Sequence, residues 1–232
     1  MKVINLLLAS ALTFTGAAQA APPLAAKTIA LVVQAKAAPE AVASDAALQA
    51  HLQTLGYAVS MVEHSAPASA AAGAGLIVIS ASVSAHTVEG AYRNTAIPIV
   101  VFESYDLPHL GMSGKREDGD FGTKEKERYI WMVNAPHPLS AGVGPGLLNV
   151  YVKGASMNWG RPGLGAIIIS TLPGEPTKGT EFAYEAGATM DYENIAPARR
   201  VFLFVDNTTF PNLNAAGLKL LDAAVAWAGS GQ

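Results

Sequence analysis

Apolar positions in this chain fall into short blocks set apart by small and polar residues, and the character of the blocks changes twice. Residues 27–34 (KTIALVVQ) form a nearly continuous apolar run. That pattern fits a strand buried on both faces of a parallel sheet. Ser44 offers a short hydroxyl of N-cap type ahead of 45–55, and Gly56 follows as a stop signal, so a helix is predicted over 45–55. Residues 57–63, 75–80 (GLIVIS) and 97–103 (IPIVVFE) predict three further strands. Pro98 sits at the start of the last one, where a missing donor does little harm. A short helix is predicted over 87–93. Strands that alternate with helices imply βαβ units, and right-handed crossovers put helices on both faces of a parallel sheet.

The middle of the chain breaks this rhythm. Of the 43 alanines, 28 precede residue 97 and none lies between 97 and 134, which marks a change of architecture. Residues 115–128 hold five basic and five acidic side chains, a local balance that predicts a solvated turn or hairpin. Asp118-Gly119-Asp120 resembles the start of a calcium loop, but the remaining ligand spacing is missing. Residues 129–133, 147–153, 166–171 and 181–184 are short strand candidates separated by Gly and Pro. They predict an antiparallel extension inserted over about 112–195. The first pattern returns at 200–206 (RVFLFVD), a buried strand, and Asn214 can cap a last helix over 215–228. In that helix Leu220, Leu221, Ala224, Val225, Trp227 and Ala228 follow helical spacing and should face the sheet. The fold class expected is α/β, a flavodoxin-like, doubly wound, mainly parallel sheet with an inserted antiparallel β extension.

Composition narrows the class. Half of the 232 residues are hydrophobic and 14% are charged, which excludes a disordered chain. A net charge of −3 argues against a nucleic-acid partner. With no cysteine there is no disulfide, no thiolate metal site and no cysteine nucleophile. Lys2, an apolar run over 3–14 and Ala18-Gln19-Ala20 make the three parts of a secretory leader. The run is shorter than the roughly 20 residues a spanning helix needs. Cleavage is expected after Ala20, leaving 21–232 as one domain without a membrane partner, periplasmic or secreted. Loss of Lys2 takes the net charge from −3 to −4.

Open parallel sheets bind ligands beyond the carboxyl ends of their strands, where crossovers diverge and helix N-termini point inward. Here those ends carry Gln34, Ser80, Ser82, Glu103 and Asp206. Glu103 follows four apolar residues and opens a turn with Ser104 and Tyr105. A carboxyl so placed becomes a proton-transfer group if burial raises its pKa, or serves as a structural cap for the next segment. His137 is held in an extended loop by Pro136 and Pro138, as an acid, base or ligand, or as a turn residue. Arg200, or its neighbour Arg199, could bind an anion or a carboxylate such as Glu103, or staple the last core strand to the insertion. Trp159-Gly160 and Tyr184-Glu185 offer sugar-stacking groups or ordinary core and rim residues. His51, His64, His86 and His109 show no metal spacing, and no metal site is expected. No G-x-G-x-x-G follows the first strand, and there is no Walker motif or G-x-S-x-G elbow, so no cofactor is expected.

Five segments carry a family resemblance: LIVISASV at 76–83, IPIVVFESY at 97–105, HPLSAG at 137–142, FAYEAGATM at 182–190 and APARRVFLF at 196–204. Taken in order, over about residues 27–230, the chain resembles the class I glutamine-amidotransferase-like superfamily. Within it the chain is most similar to ThuA-like (trehalose-utilisation-like) exported domains. The resemblance implies a flavodoxin-like sheet with an active-site elbow after the strand that ends at Glu103. Amidotransferases place a nucleophilic cysteine there, and this chain has Glu103. Their His-x-Glu pair is also missing, since Pro138 and Leu139 follow His137. Glutaminase chemistry is therefore not carried over. Some relatives use serine, and Ser104 lies one position out of register.

The expected function is an exported ThuA-like domain that binds a small polar ligand, such as a carbohydrate, at the strand ends. Glu103 would be its acid or base, His137 and an arginine would orient the ligand, and Ser80, Ser82, Tyr105, Arg200 and Trp159 are the candidate ligand-binding residues. The alternatives are a non-catalytic interaction domain that has lost its nucleophile, and a serine hydrolase acting through Ser104.

Overall fold

The computed structural model describes residues 28–230. The expected leader and Lys27 lie outside the described residues. The chain begins with β1 (Thr28–Val33), α1 (Pro39–Thr54), β2 (Ala58–Glu63), β3 (Leu76–Ile79), α2 (Ala85–Val88), β4 (Ile99–Val101) and α3 (Leu107–Leu110). Six strands follow within residues 121–184: β5 (Phe121–Glu127), β6 (Tyr129–Met132), β7 (Gly146–Asn149), β8 (Ala155–Gly160), β9 (Ile167–Leu172) and β10 (Glu175–Tyr184). The chain then returns through β11 (Arg200–Leu203) and ends in α4 (Ala215–Gly229).

All strands join one mixed sheet in the order β2-β1-β3-β4-β11-β10-β9-β6-β7, with β8 pairing β10 and β5. Neighbours from β2 to β11 are parallel. From β11 outward every pairing is antiparallel. The parallel half has the flavodoxin-like order, in which crossovers leave β1 and β3 in opposite directions.

Two apolar cores explain why 27–34 shows no alternation. Leu31 and Val33 pack in one core with Leu48 and Leu52 of α1 and Leu220 and Leu221 of α4. Ala30 and Val32 pack in the other with Val88 of α2 and Leu107 and Leu110 of α3. Burying each such Leu or Val is worth roughly 1.5–3 kcal/mol, so both faces of β1 must be apolar. Helix α4 forms as its pattern predicts. Asn214 Oδ1 accepts from the N–H groups of Ala216 at 2.9 Å and Gly217 at 3.1 Å. Leu220, Leu221, Ala224, Val225, Trp227 and Ala228 are all buried.

Several boundaries differ from expectation. Ser44 is not a cap: α1 starts six residues earlier, behind Ala38, with Pro39 in its first turn and Glu40 beside it. Proline presets φ and lacks an N–H that would be orphaned there, and an acidic first turn suits the helix dipole. Ser44 instead points inward, buried. The helix predicted over 87–93 is a single turn, α2, stopped by two left-handed residues, Glu89 (φ 38°) and Gly90 (φ 71°). The charged run 115–128 contributes β5, which pairs antiparallel with β8. The strand predicted over 147–153 is only β7, and β8 follows it.

Candidate functional site

A cavity of about 690 Å³ opens at the carboxyl ends of β3 and β4, beside the switch point. Glu103 lies at its floor. One wall is Tyr105, Glu117 and Phe121; the other comes from the α2 segment, with His86, Glu89 and Arg93. Pro108, His109 and Lys115 complete the lining. The walls meet closely at Gly90, where a Cβ would stand 2.9 Å from the His109 carbonyl oxygen. Only glycine fits that approach with its positive φ.

Glu103 is placed by the turn that ends β4. It caps the one-turn 3-10 helix Ser104–Asp106, its Oε1 accepting the Tyr105 N–H at 2.8 Å. Its backbone is ordinary extended chain (φ −73°, ψ 110°), so no strained elbow is present. Burial pushes its carboxyl up to about 8, against the pull of the Tyr105 N–H; Asp206 and Asp106 add to the rise. Asp106 is fully buried, and burial raises it to about 7. Burial also raises Asp206. Three carboxyls therefore gather where low dielectric favours their neutral forms. Near neutral pH Glu103 offers an O–H donor to the cavity.

Around that donor the fixed charges balance: Arg93 and Lys115 against Glu89 and Glu117. The Tyr105 hydroxyl donates to Glu117 Oε1 at 2.7 Å, and that bond, first among the causes, pushes the phenol up to about 12. The Tyr105 and Phe121 rings meet edge to face at 5.2 Å. Arg93 Nη2 donates to Asn194 Oδ1 at 3.0 Å, which fixes the arginine on the far wall. The result is a recess lined by both donors and acceptors, with the Tyr105 and Phe121 rings on one side.

Of the residues picked from sequence, Glu103 and Tyr105 line this cavity, and the others stand elsewhere. Ser80 and Ser82 are buried beside it. The Ser80 hydroxyl donates to Asp45 Oδ1 at 2.5 Å, and Ser82 Oγ accepts the Gln34 N–H at 3.2 Å. Ser104 is fully buried, its hydroxyl 3.4 Å from Asn158 Oδ1, and among the described residues no imidazole bonds it. His137 caps the turn Pro138–Ser140 and packs on Trp227 at 5.6 Å. It lies near Glu185 and Arg199, and burial lowers its pKa. Arg199, at the entry to β11, pairs with Glu185 and stacks on Trp227. Trp159 is buried on β8 beneath the Lys178 ammonium. Arg200 is buried at the start of β11, its guanidinium donating to the carbonyls of Thr95, Ile97 and Ala198. Glu103, His137 and Arg200 do not converge.

Other polar groups at the strand ends went unselected. Asn158 Nδ2 donates to the Phe102 carbonyl at 2.9 Å and the Val205 carbonyl at 3.2 Å, joining the ends of β4 and β11. Its Oδ1 accepts from the Thr123 hydroxyl at 2.9 Å. Asp106 and His109 follow Glu103 within six residues, so reading past the strand end would have found them. Lys115 and Glu117 lie in the charged run, where nothing in the pattern marks which charges face a cavity. The calcium-like Asp120 is occupied by Arg116, whose Nη2 lies 3.1 Å from Oδ1. Among the described residues no cluster of three metal-ligating side chains occurs, and no helix is long and apolar enough to cross a membrane.

No known family profile matches the sequence, and no curated protein matches it. Solved structures do. A protein provisionally described as ThuA-like from Bacteroides uniformis superposes with a TM-score of 0.57 at 12% identity, over 89% of this chain and 92% of that one. A second such protein, from Parabacteroides merdae, gives 0.52 at 14% identity over 88% and 90%. A protein from Thermoplasma acidophilum, provisionally described as one of the subunits of GMP synthase, gives 0.54 at 12% identity over 88% and 95%. At these identities the likeness is one of fold.

Proposed function

Taking the ThuA-like, flavodoxin-type fold as premise, we propose that the cavity beyond β3 and β4 binds a small polar ligand, with Glu103 as its proton-bearing donor. The observation that carries this reading is a nearly buried carboxyl at the floor of an open recess, with a single backbone N–H bonded to it among the described residues. A neutral acid there can donate to a ligand oxygen, and an ionised one would be left badly solvated. The balanced charges of the walls favour an uncharged or zwitterionic ligand. Carbohydrates come first among the classes to test, because they present many hydroxyls and a weakly apolar face suited to the edge formed by Tyr105 and Phe121.

The Glu103 proton also makes it the general acid of a reaction at this place. Binding without turnover is the second reading, favoured by Glu103 standing where a nucleophile is expected and by Ser104 being sealed away. A thermal-shift panel of sugars, polyols and amino acids, run on the wild type and on Glu103→Ala, tests the proposal. Native-state binding raises Tm by mass action. One class should raise the wild-type Tm and leave the variant unmoved. An equal rise in both would remove Glu103 from the site.

We also propose export through residues 1–20. The intact mass of the protein recovered outside the cytoplasm should begin at Ala21. A retained Met1 would refute it.

A further inference from the structure

Burial is the first cause that holds the proton on Glu103, and the next buried acid along the turn adds to it. Asp106 is the third residue of the 3-10 turn that Glu103 caps, and its N–H donates to the Glu103 carbonyl at 3.2 Å. Such a turn has three residues per cycle, so positions three apart stack along it. Asp106 is fully buried, and neither carboxyl oxygen has a hydrogen-bond partner among the described residues. The Tyr92 hydroxyl, close enough to be influenced by Asp106, is likewise buried and unpartnered. No arrangement of structural hydrogen bonds accounts for an aspartate here. A buried acid without a partner costs about 1–3 kcal/mol.

We propose that Asp106 is a positioning residue for Glu103: it touches no ligand, and it keeps the proton on Glu103 by making a second negative charge on this turn unfavourable. The inference rests on the Glu103 reading above. Two acids that oppose each other's ionisation release protons in two steps that belong to the pair. Other charges face Glu103 as well. Asp206, from the end of β11, acts in the same direction as Asp106. Across the cavity stand Arg93 and Lys115, Glu89 and Glu117, and the imidazoles of His86 and His109. Tyr105 shares its turn. Asp206 differs from Asp106 in lying on another element, with the neighbouring Ser156 and Asn158 side chains pulling its carboxyl pKa down against burial.

Carbon-13 NMR titration of the side-chain carboxyls tests this on the ligand-free protein, with Glu103 assigned through Glu103→Gln. In the wild type the Glu103 signal should titrate above neutrality and respond to the Asp106 step. In Asp106→Asn its midpoint should fall by about one pH unit, roughly a tenfold loss of proton affinity. An unchanged midpoint in folded Asp106→Asn overturns the inference and leaves the Glu103 reading standing. A wild-type Glu103 midpoint in the ordinary carboxylate range overturns both. If Asp106→Asn does not fold, Asp106→Ala takes its place in the same titration, and an unchanged Glu103 midpoint there overturns the coupling.

Discussion

Arg200 and Glu103 stand at opposite ends of two neighbouring parallel strands. Arg200 pairs in register with Ile99 at the start of β4, and Glu103 leaves the same strand past Phe102. A charge pair between them is therefore ruled out by topology, and each has its own task. Arg200 closes the amino-terminal edge, donating to backbone carbonyls at 2.6–3.2 Å. Removing it leaves those carbonyls unpaired in the interior. Arg200→Met should lower stability by about 3 kcal/mol or more and leave ligand affinity of the folded protein unchanged. Denaturant unfolding checks the first outcome and a thermal-shift titration the second.

Asn158 does the comparable work at the other end. Its side chain bridges the carbonyls after β4 and β11 and is 2% exposed. Asn158→Ala should cost about 2–3 kcal/mol, because two buried carbonyls lose their donor. The denaturation midpoint should fall with an unchanged slope. A shift within error would show that the bridge is dispensable.

The extended apolar runs and the final helix were legible from sequence because local chemistry alone determines them. Residues 27–34 are apolar on both faces since both faces of β1 are covered. Asn214 caps α4 from two residues away. The antiparallel strands were harder to read. Strand β8, ASMNWG, has neither period nor a β-branched side chain, and the pairing with β5 and β10 that makes it a strand is long-range. Residues 124–127 of β5 alternate in charge sign, with three exposed in a row, and read as a turn. At the cavity, Glu103 and Tyr105 were visible as the end of an apolar run. Arg93, Lys115 and Glu117 were not, because two separate loops bring them to the Glu103 turn. Arg200 and Ser104 misled for different reasons: Arg200 enters β11 at the end of the sheet away from Glu103, and Ser104 turns its hydroxyl inward, which sequence does not give.

Stability should depend on pH through Glu103. Its native carboxyl ionises near 8, against an ordinary value of 4.5. The native state thus binds more protons than the unfolded chain across that window, and its contribution to stability, present below about 4.5, is lost as pH rises through about 8. Asp106 has the same sign between 3.8 and about 7. Glu103→Gln stays neutral throughout. Its Tm relative to wild type should therefore climb by on the order of 5 °C between about pH 5 and pH 8.5. Scanning calorimetry at the two pH values is the check, and a difference independent of pH would refute the shifted ionisation.

Glu181 makes the same argument without a cavity. It is fully buried on β10, both carboxyl oxygens lack partners among the described residues, and burial raises it well above the carboxylate range. Replacing an unpartnered buried acid with an apolar residue of similar size removes a desolvation cost. Glu181→Leu should raise stability by about 1–3 kcal/mol at neutral pH, read from the denaturation midpoint. A fall would mean that Glu181 has a partner in solution.

The central claim is that a proton on Glu103 is part of ligand recognition. Its most direct test is the sugar and polyol panel run at about pH 6 and about pH 9.5, either side of the Glu103 ionisation, each against a ligand-free control at the same pH. A Tm increase is expected for one ligand class at the lower pH and lost at the higher, with no increase for Glu103→Ala at either. An increase of equal size at both pH values, or none for any class, would contradict it.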